Sequence, residues 1–421
     1  MGSYAPVTDS GTDLRRTTPR QWAAIAVLSL STFVVVTSEM LPVGVLTPMA
    51  DGLGISTGST GLSLTITGLV TAVTAPAVPR LLGTLDRRAV LAVAMLILAA
   101  GNALTAVANG FGPLLVSRII LGIGMGTVWG LAAAVAPRLV APRDAALAVS
   151  FAVSGVAAAS VAGVPLGTFI GNAFGWRAAF TALAVAAVVL AAVLLPVLPR
   201  LPRVTAPAGS DPRVDRRPLL RIPAVAVGLA LITVLVTAHF AAYTYVRPVL
   251  EDRTGLTPGA IAGLLLLYGV FGLIGNFVTG ALAARRARLT VTALATGIGA
   301  SLVLLALFGA LAGVTALSIA LWGLTYGGLS VAGQIWMTQL APHRAEHITG
   351  LYVGVFTAAI ALGAFIGGTL VEAGGVTLVL WSAAILSLLA VVIGLSGRTP
   401  GGDGPGGRRE SAAPQAEAVR T

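Results

Sequence analysis

Glu39 is the lone carboxylate inside any apolar segment of this chain, Arg118 is a guanidinium inside another, and His239 is an imidazole inside a third. A charge among lipid-length apolar runs costs several kcal/mol unless it faces a protein interior or a watery cavity, so such residues point to solute or proton pathways. A carboxylate whose distance from a cation changes, or which a solute competes for, can load and release a proton. Glu39, Arg118 and His239 are therefore the candidate proton-coupling residues. A static buried ion pair between Glu39 and Arg118 is the simpler alternative, as is a histidine hydrogen-bonded between helices.

Other polar side chains recur in apolar runs at helical spacing. Tyr243 and Arg247 follow His239 at i+4 and i+8, which predicts one stripe of imidazole, phenol and guanidinium suited to a cavity wall. Tyr326, Ser330 and Gln334 repeat by four, as do Tyr268, Gly272 and Asn276. With Trp129, the candidate substrate-binding residues are Tyr243, Arg247, Trp129, Tyr326, Gln334 and Asn276. Packing competes for the tryptophan, and interhelical hydrogen bonding for Asn276. Glycines at 122, 126 and 130, and at 163, 167, 171 and 175, line single helix faces and predict close backbone packing rather than ligand contact.

The elements carrying these residues follow from composition. The chain is 56% apolar and 10% charged, against roughly 25% charged in an average soluble domain, and its mean hydropathy is +0.94. About twelve apolar stretches are each long enough to cross a ~30 Å hydrocarbon core. An all-α membrane protein of twelve transmembrane helices is expected. The first twenty or so residues hold no apolar segment ending at a cleavage site, so the first helix is expected to act as its own targeting signal. Cysteine is absent, which removes disulfides, thiol chemistry and zinc–cysteine sites.

The net charge of +11, carried by arginine throughout, would suggest nucleic acid in a soluble protein. Its placement says otherwise. With the amino terminus in the cytoplasm, the outside segments hold only Arg177, Arg247 and Arg253, and nearly all other arginines fall inside. That is the positive-inside pattern. It predicts a multi-pass protein of the cytoplasmic membrane with both termini inside and no nucleic-acid partner.

Residues 199–221, rich in proline and arginine, read as a cytoplasmic linker. They divide a tail (1–21) and a six-helix half (22–198) from a second six-helix half (222–396) and a disordered tail (397–421). The halves match at a constant offset of 200: Thr37 with Thr237, Pro48 with Pro248, Ala141-Pro142 with Ala341-Pro342, and Gly163, Gly167 and Gly175 with Gly363, Gly367 and Gly375. Glu39 falls opposite His239. Paired six-helix repeats with a site at their interface are a transporter construction. His343-Arg344-Ala345-Glu346-His347 matches a zinc-protease pattern, but in a short loop without a further ligand it reads as coincidence. No metal, no cofactor beyond a proton gradient and no enzyme activity are expected.

Several segments resemble the major facilitator superfamily. Arg118-x-x-x-Gly122-x-x-x-Gly126 is similar to its fourth-helix motif, whose arginine is implicated in proton coupling. Gly155 through Gly163-Val164-Pro165-Leu166-Gly167 is similar to the fifth-helix signature of antiporters, with Val164 splitting the usual Gly-Pro pair. Gly175-Trp176-Arg177-Ala178-Ala179-Phe180 resembles the start of its sixth helix. The gate motif between helices 2 and 3 departs from the pattern, with Gly83 at the usual aspartate and Ala284 at the equivalent acidic position of the second half. Thr37-Ser38-Glu39-Met40-Leu41-Pro42 and Thr237-Ala238-His239 look closest to the sugar-efflux branch of the drug:proton antiporters. The resemblance implies proton-coupled export of a sugar, a sugar-like compound or an amphenicol-type drug by a monomer, with helices 1, 4, 7 and 10 around the cavity. A proton-coupled importer and a non-transporting membrane sensor are the alternatives.

Overall fold

The computed structural model describes residues 17–81, 85–201 and 219–396. Gly83, most of the linker, residues 1–16 of the expected amino-terminal tail and the whole expected carboxyl-terminal tail lie outside them, and the first helix starts at Pro19, inside the expected tail, because Thr18 caps it. The first half comprises α1 (Pro19–Leu53), α2 (Thr57–Leu81), α3 (Arg87–Val107), α4 (Phe111–Val135), α5 (Ala145–Ala158), α6 (Val164–Phe174) and α7 (Trp176–Val197). The second comprises α8 (Pro223–Tyr243), α9 (Val246–Thr254), α10 (Pro258–Phe308), α11 (Ala312–Gly327), α12 (Leu329–Leu340) and α13 (Ala345–Ser396).

A π-helical turn at Ala159–Gly163 makes α5 and α6 one crossing, and α8–α9 and α11–α12 are likewise broken single crossings. At ~1.5 Å per residue, the 51 residues of α10 and the 52 of α13 each span twice a bilayer. Their non-helical residues, Arg286 in α10 and Gly374–Gly375 in α13, mark where each folds back. The fold is thus all-α, with six membrane helices in each of two pseudo-symmetric halves.

Each half is built round a hydrophobic cluster, the second half's also taking in Val43, Leu64 and Val164 of the first. The repeat extends to side-chain function. Arg88 donates to the carbonyl of Leu195 at 3.0 Å, and Arg288 to that of Leu395 at 3.1 Å, each holding the carbonyl end of its half's last helix. We call the side with these contacts the linker face and the other the far face. Among the described residues, the four glycines with positive φ, Gly54, Gly175, Gly255 and Gly375, all sit at far-face turns. A Cβ there would meet nothing within 4 Å, so backbone conformation, not space, requires glycine.

The glycine faces pack as their spacing predicts, except that Gly175 sits at the turn between α6 and α7, with φ 87° and no neighbour within 4 Å of a Cβ. Gly122, Gly126 and Gly130 lie against α2, and Gly163, Gly167 and Gly171 against Thr37, Leu41 and Val45 of α1. In the second half Gly363 and Gly367 lie against Thr237 and Ala241 of α8.

Proline shapes the two helices that carry Glu39 and His239. A proline inside a helix removes the bond to the carbonyl four residues back and clashes with that carbonyl. Pro48 and Pro248 produce matching kinks, with Val45 at φ −123°, ψ 19° and Tyr245 at φ −107°, ψ 17°. Pro42 and Pro48 release the carbonyls of Ser38 and Gly44 in α1. Each is taken by an arginine: Arg118 Nη1 donates to Ser38 O at 3.4 Å, and Arg247 Nη1 to Gly44 O at 2.6 Å.

Candidate functional site

Glu39 is buried and makes no hydrogen bond or ion pair with a described residue. The expected Glu39–Arg118 pair is not formed, their charged atoms lying beyond the 4.0 Å of an ion pair. Arg118 turns into the first half instead. Besides Ser38 O, its guanidinium stands over the Phe180 ring at 5.0 Å, and its Nε and Nη2 have no partner. Asn102 completes this polar patch, donating to Ser38 Oγ at 3.0 Å with its own Oδ1 unpartnered. The cation is held one residue away from the carboxylate, by the backbone of Ser38.

His239 lies in an aromatic cluster built by α8, α10 and α11. Its ring stacks on Tyr326 at 3.5 Å and 4°, and on Tyr243 at 5.1 Å and 20°. Tyr268 continues the array, 4.8 Å from Tyr243. Trp322 and Phe240 stand edge-on to the imidazole, at 77° and 88°. Trp322 Nε1 donates to His239 Nδ1 at 2.9 Å. His239 Nε2 and the Tyr268 hydroxyl are buried without partners. A buried donor with no acceptor costs about 1–3 kcal/mol, so the cluster carries a standing demand for hydrogen-bond partners. Tyr326, part exposed, is the member within electrostatic reach of both the Glu39 carboxylate and the Tyr243 phenol. The acidic and aromatic parts of the site thus lie in opposite halves, with Tyr326 the ring electrostatically linked to Glu39.

The stripe expected from His239, Tyr243 and Arg247 does not continue. The kink ahead of Pro248 ends α8 at Tyr243 and redirects Arg247 toward the first half. There Arg247 donates to Gly44 O, to Asn172 Oδ1 at 3.1 Å and, within its own helix, to Glu251 at 2.8 Å. Glu251 also accepts from Thr47 of α1 at 2.5 Å. Glu372 accepts from the Gly58 amide at 3.0 Å, Asn172 donates to Pro258 O at 2.9 Å, and Thr65 donates to Ala361 O at 3.2 Å. Among the described residues, the hydrogen bonds between halves all lie in this far-face part. The molecule is closed there.

Of the other candidates, Trp129 packs half-buried against the first-half core, away from the aromatic cluster. Asn276 and Gln334 are half-buried, and their side chains make no hydrogen bond with a described residue. Trp322 is not among the sequence candidates. Its i+4 spacing to Tyr326, the same as His239 to Tyr243, is the available signal.

The family model described as Major Facilitator Superfamily matches residues 28–363. The chain belongs to the Major Facilitator Superfamily. It is 31% identical to the purine ribonucleoside efflux pump NepI of Escherichia coli (strain K12) over 372 residues, 88% of this chain and 93% of that one. It is 30% identical over 390 residues to the transcription regulatory protein OpdE of Pseudomonas aeruginosa, covering 92% and 97% of the two chains. Solved facilitator structures share the fold at low identity. A bacterial homologue of the lysosomal transporter Spinster, inward-facing and unoccupied, gives a TM-score of 0.73 at 14% identity, covering 90% of this chain and 96% of that one. A point mutant of the nucleoside transporter NupG gives 0.71 at 14%, covering 89% and 99%. This facilitator is a multi-pass membrane transporter of small molecules, not an enzyme.

Proposed function

We propose that this chain is a proton-driven exporter of a small polar solute bearing an aromatic ring, with nucleosides the class that fits best. It would act as a monomer in the cytoplasmic membrane, linker face inward. The observation that carries the reading is the four-ring stack of His239, Tyr243, Tyr268 and Tyr326, with unpartnered polar atoms on His239 and Tyr268, in a protein whose opposite half buries the Glu39 carboxylate. The rings offer flat faces to a base, and the unpartnered His239 and Tyr268 donors offer hydrogen bonds to its edge. A bare sugar has only a C–H face to lay on one of the rings, whereas a nucleoside or an amphenicol-type drug has an aromatic ring that extends the stack. The name of the NepI relative supports the nucleoside class.

In this reading the solute enters from the linker face while the far-face contacts are closed. Its arrival beside Tyr326 changes the surroundings of Glu39 and releases the Glu39 proton inward. Reopening at the far face lets the solute leave and Glu39 take a proton from outside. Arg118, with two unpartnered nitrogens beside Ser38, is the cation that receives the Glu39 carboxylate in part of this cycle.

Inosine counterflow and pH-gradient-driven export in proteoliposomes test the proposal. Glu39→Gln should retain counterflow and lose gradient-driven export. Gradient-driven export at the wild-type rate by this variant would place the coupled proton elsewhere. A membrane-bound regulator is the second reading, favoured by the name of the OpdE relative. Absence of counterflow for every ring-bearing solute by folded protein would support it.

A further inference from the structure

The hydrogen bond from Trp322 to His239 constrains what the histidine can do. Indole Nε1–H only donates, so the 2.9 Å contact makes His239 Nδ1 an acceptor. The neutral ring then carries its hydrogen on Nε2, the atom that is buried without a partner. A proton on Nδ1 would face the indole N–H directly and would require that bond to break. The ring has little room to turn away, clamped by Tyr326 at 3.5 Å and by Phe240 edge-on at 4.8 Å. The titratable groups facing it are Tyr243 on its own helix, Tyr268 on α10 and Tyr326 on α11, and Glu39 acts electrostatically on Tyr326. Every one of these besides Glu39 is a phenol.

We propose that Trp322 locks His239 as a neutral Nε2–H donor, which makes His239 the residue that selects solutes with a ring acceptor rather than a carrier of the coupled proton. The Tyr268 hydroxyl, the second unpartnered polar group of the stack, is the companion donor. The site then divides its work: the second half reads the solute's ring edge, and Glu39 of the first half carries the proton. The selectivity half of this inference rests on the ring-bearing-solute reading above, whereas the tautomer does not.

Two measurements separate these parts. Nitrogen-15 NMR of histidine-labelled protein, with the His239 signals assigned by their loss in His239→Gln, reads the tautomer without any solute. An unprotonated Nδ1 and protonated Nε2 are expected from pH 5.5 to 8, with a mixed or titrating ring in Trp322→Phe. A doubly protonated His239 in the wild type within that range would overturn the lock. Counterflow of inosine against indole riboside, which keeps the bicyclic ring and ribose but lacks ring acceptors, reads selectivity. Wild type should prefer inosine by about tenfold, the scale of one satisfied buried donor. Trp322→Phe should lose most of that preference and make the remainder pH-dependent. His239→Gln, which keeps an N–H donor, should retain more of it than His239→Ala. Equal preference in the wild type and Trp322→Phe, with the tautomer as expected, would overturn the selective role. Wild-type failure to move either riboside would refute the nucleoside reading and with it the selective role, and leave the NMR result to decide the lock.

Discussion

Removing the Arg247 side chain should open the far face without unfolding the protein. Arg247 is 3% exposed and makes two hydrogen bonds across the halves, to Gly44 O at 2.6 Å and Asn172 Oδ1 at 3.1 Å. Hydrogen bonds from a charged donor contribute about 1.5–3 kcal/mol each, so the pair favours the closed state by at least about 3 kcal/mol. That is a factor of roughly 150 in the equilibrium. A protein closed ~99% of the time would become about half open. The Thr47–Glu251 and Glu372–Gly58 contacts remain, so the variant still samples closure. The chain has no cysteine, so Asp51→Cys with Asp252→Cys, both exposed at far-face helix ends, gives a clean spin-label pair. Electron–electron distance measurements should show a second, longer population in Arg247→Ala. Arg247→Lys should fall between, because lysine keeps the charge without the planar fork. Identical distance distributions for Arg247→Ala and wild type would refute the assignment of Arg247 to closure.

Arg118→Lys should bind solute yet lose most gradient-driven export, because one ammonium cannot satisfy both Ser38 O and a carboxylate in a fixed plane; export assays at matched expression check this. Gly327→Ala should lower thermal stability by about 1–3 kcal/mol, the usual cost of overpacking, since its Cβ would fall 2.0 Å from the Gly272 carbonyl oxygen; an unchanged melting temperature in detergent would count against that contact. Asp86→Ala should weaken the start of α3 by about 1 kcal/mol through loss of its cap, and should speed tryptic cleavage near Arg200, because Asp86 also accepts from the Leu201 amide at 2.9 Å. Partial burial alone would raise the Asp86 pKa, but the Leu201 and Arg88 amides and the charges of Arg88 and Arg200 outweigh it and hold it below the ordinary value. Stabilisation from this carboxylate is therefore present above the ordinary aspartate range and lost as pH falls through the lowered pKa; protease sensitivity of wild type should rise only in that acid range.

The halves are legible in the sequence because their packing rests on small residues at fixed spacing, and Gly163 and Gly363 do meet α1 and α8 at equivalent places. Glu39 and His239 are legible because a polar group in an apolar run has few innocent explanations. The fate of Arg247 is not. Helical spacing carries a stripe forward only while the helix continues, and Pro248 bends the chain three residues before itself, between Tyr243 and Arg247. Trp322 is hidden for a different reason. Its indole N–H matters only through a bond to a residue 83 positions away; the i+4 spacing can place Trp322 on the face of Tyr326 but does not point to that bond.

The two prolines of α1 have a consequence for how the arginines are wired. A carbonyl bound within its own helix can change partner only by unwinding a turn, whereas the Ser38 and Gly44 carbonyls were never committed to the backbone. They are open berths, and a guanidinium or a water can occupy either in turn while the helix stays intact. Replacing Pro42 or Pro48 with alanine would fill a berth from within, giving a straighter and more self-sufficient helix that no longer needs its arginine. Such a helix would fold well and switch poorly.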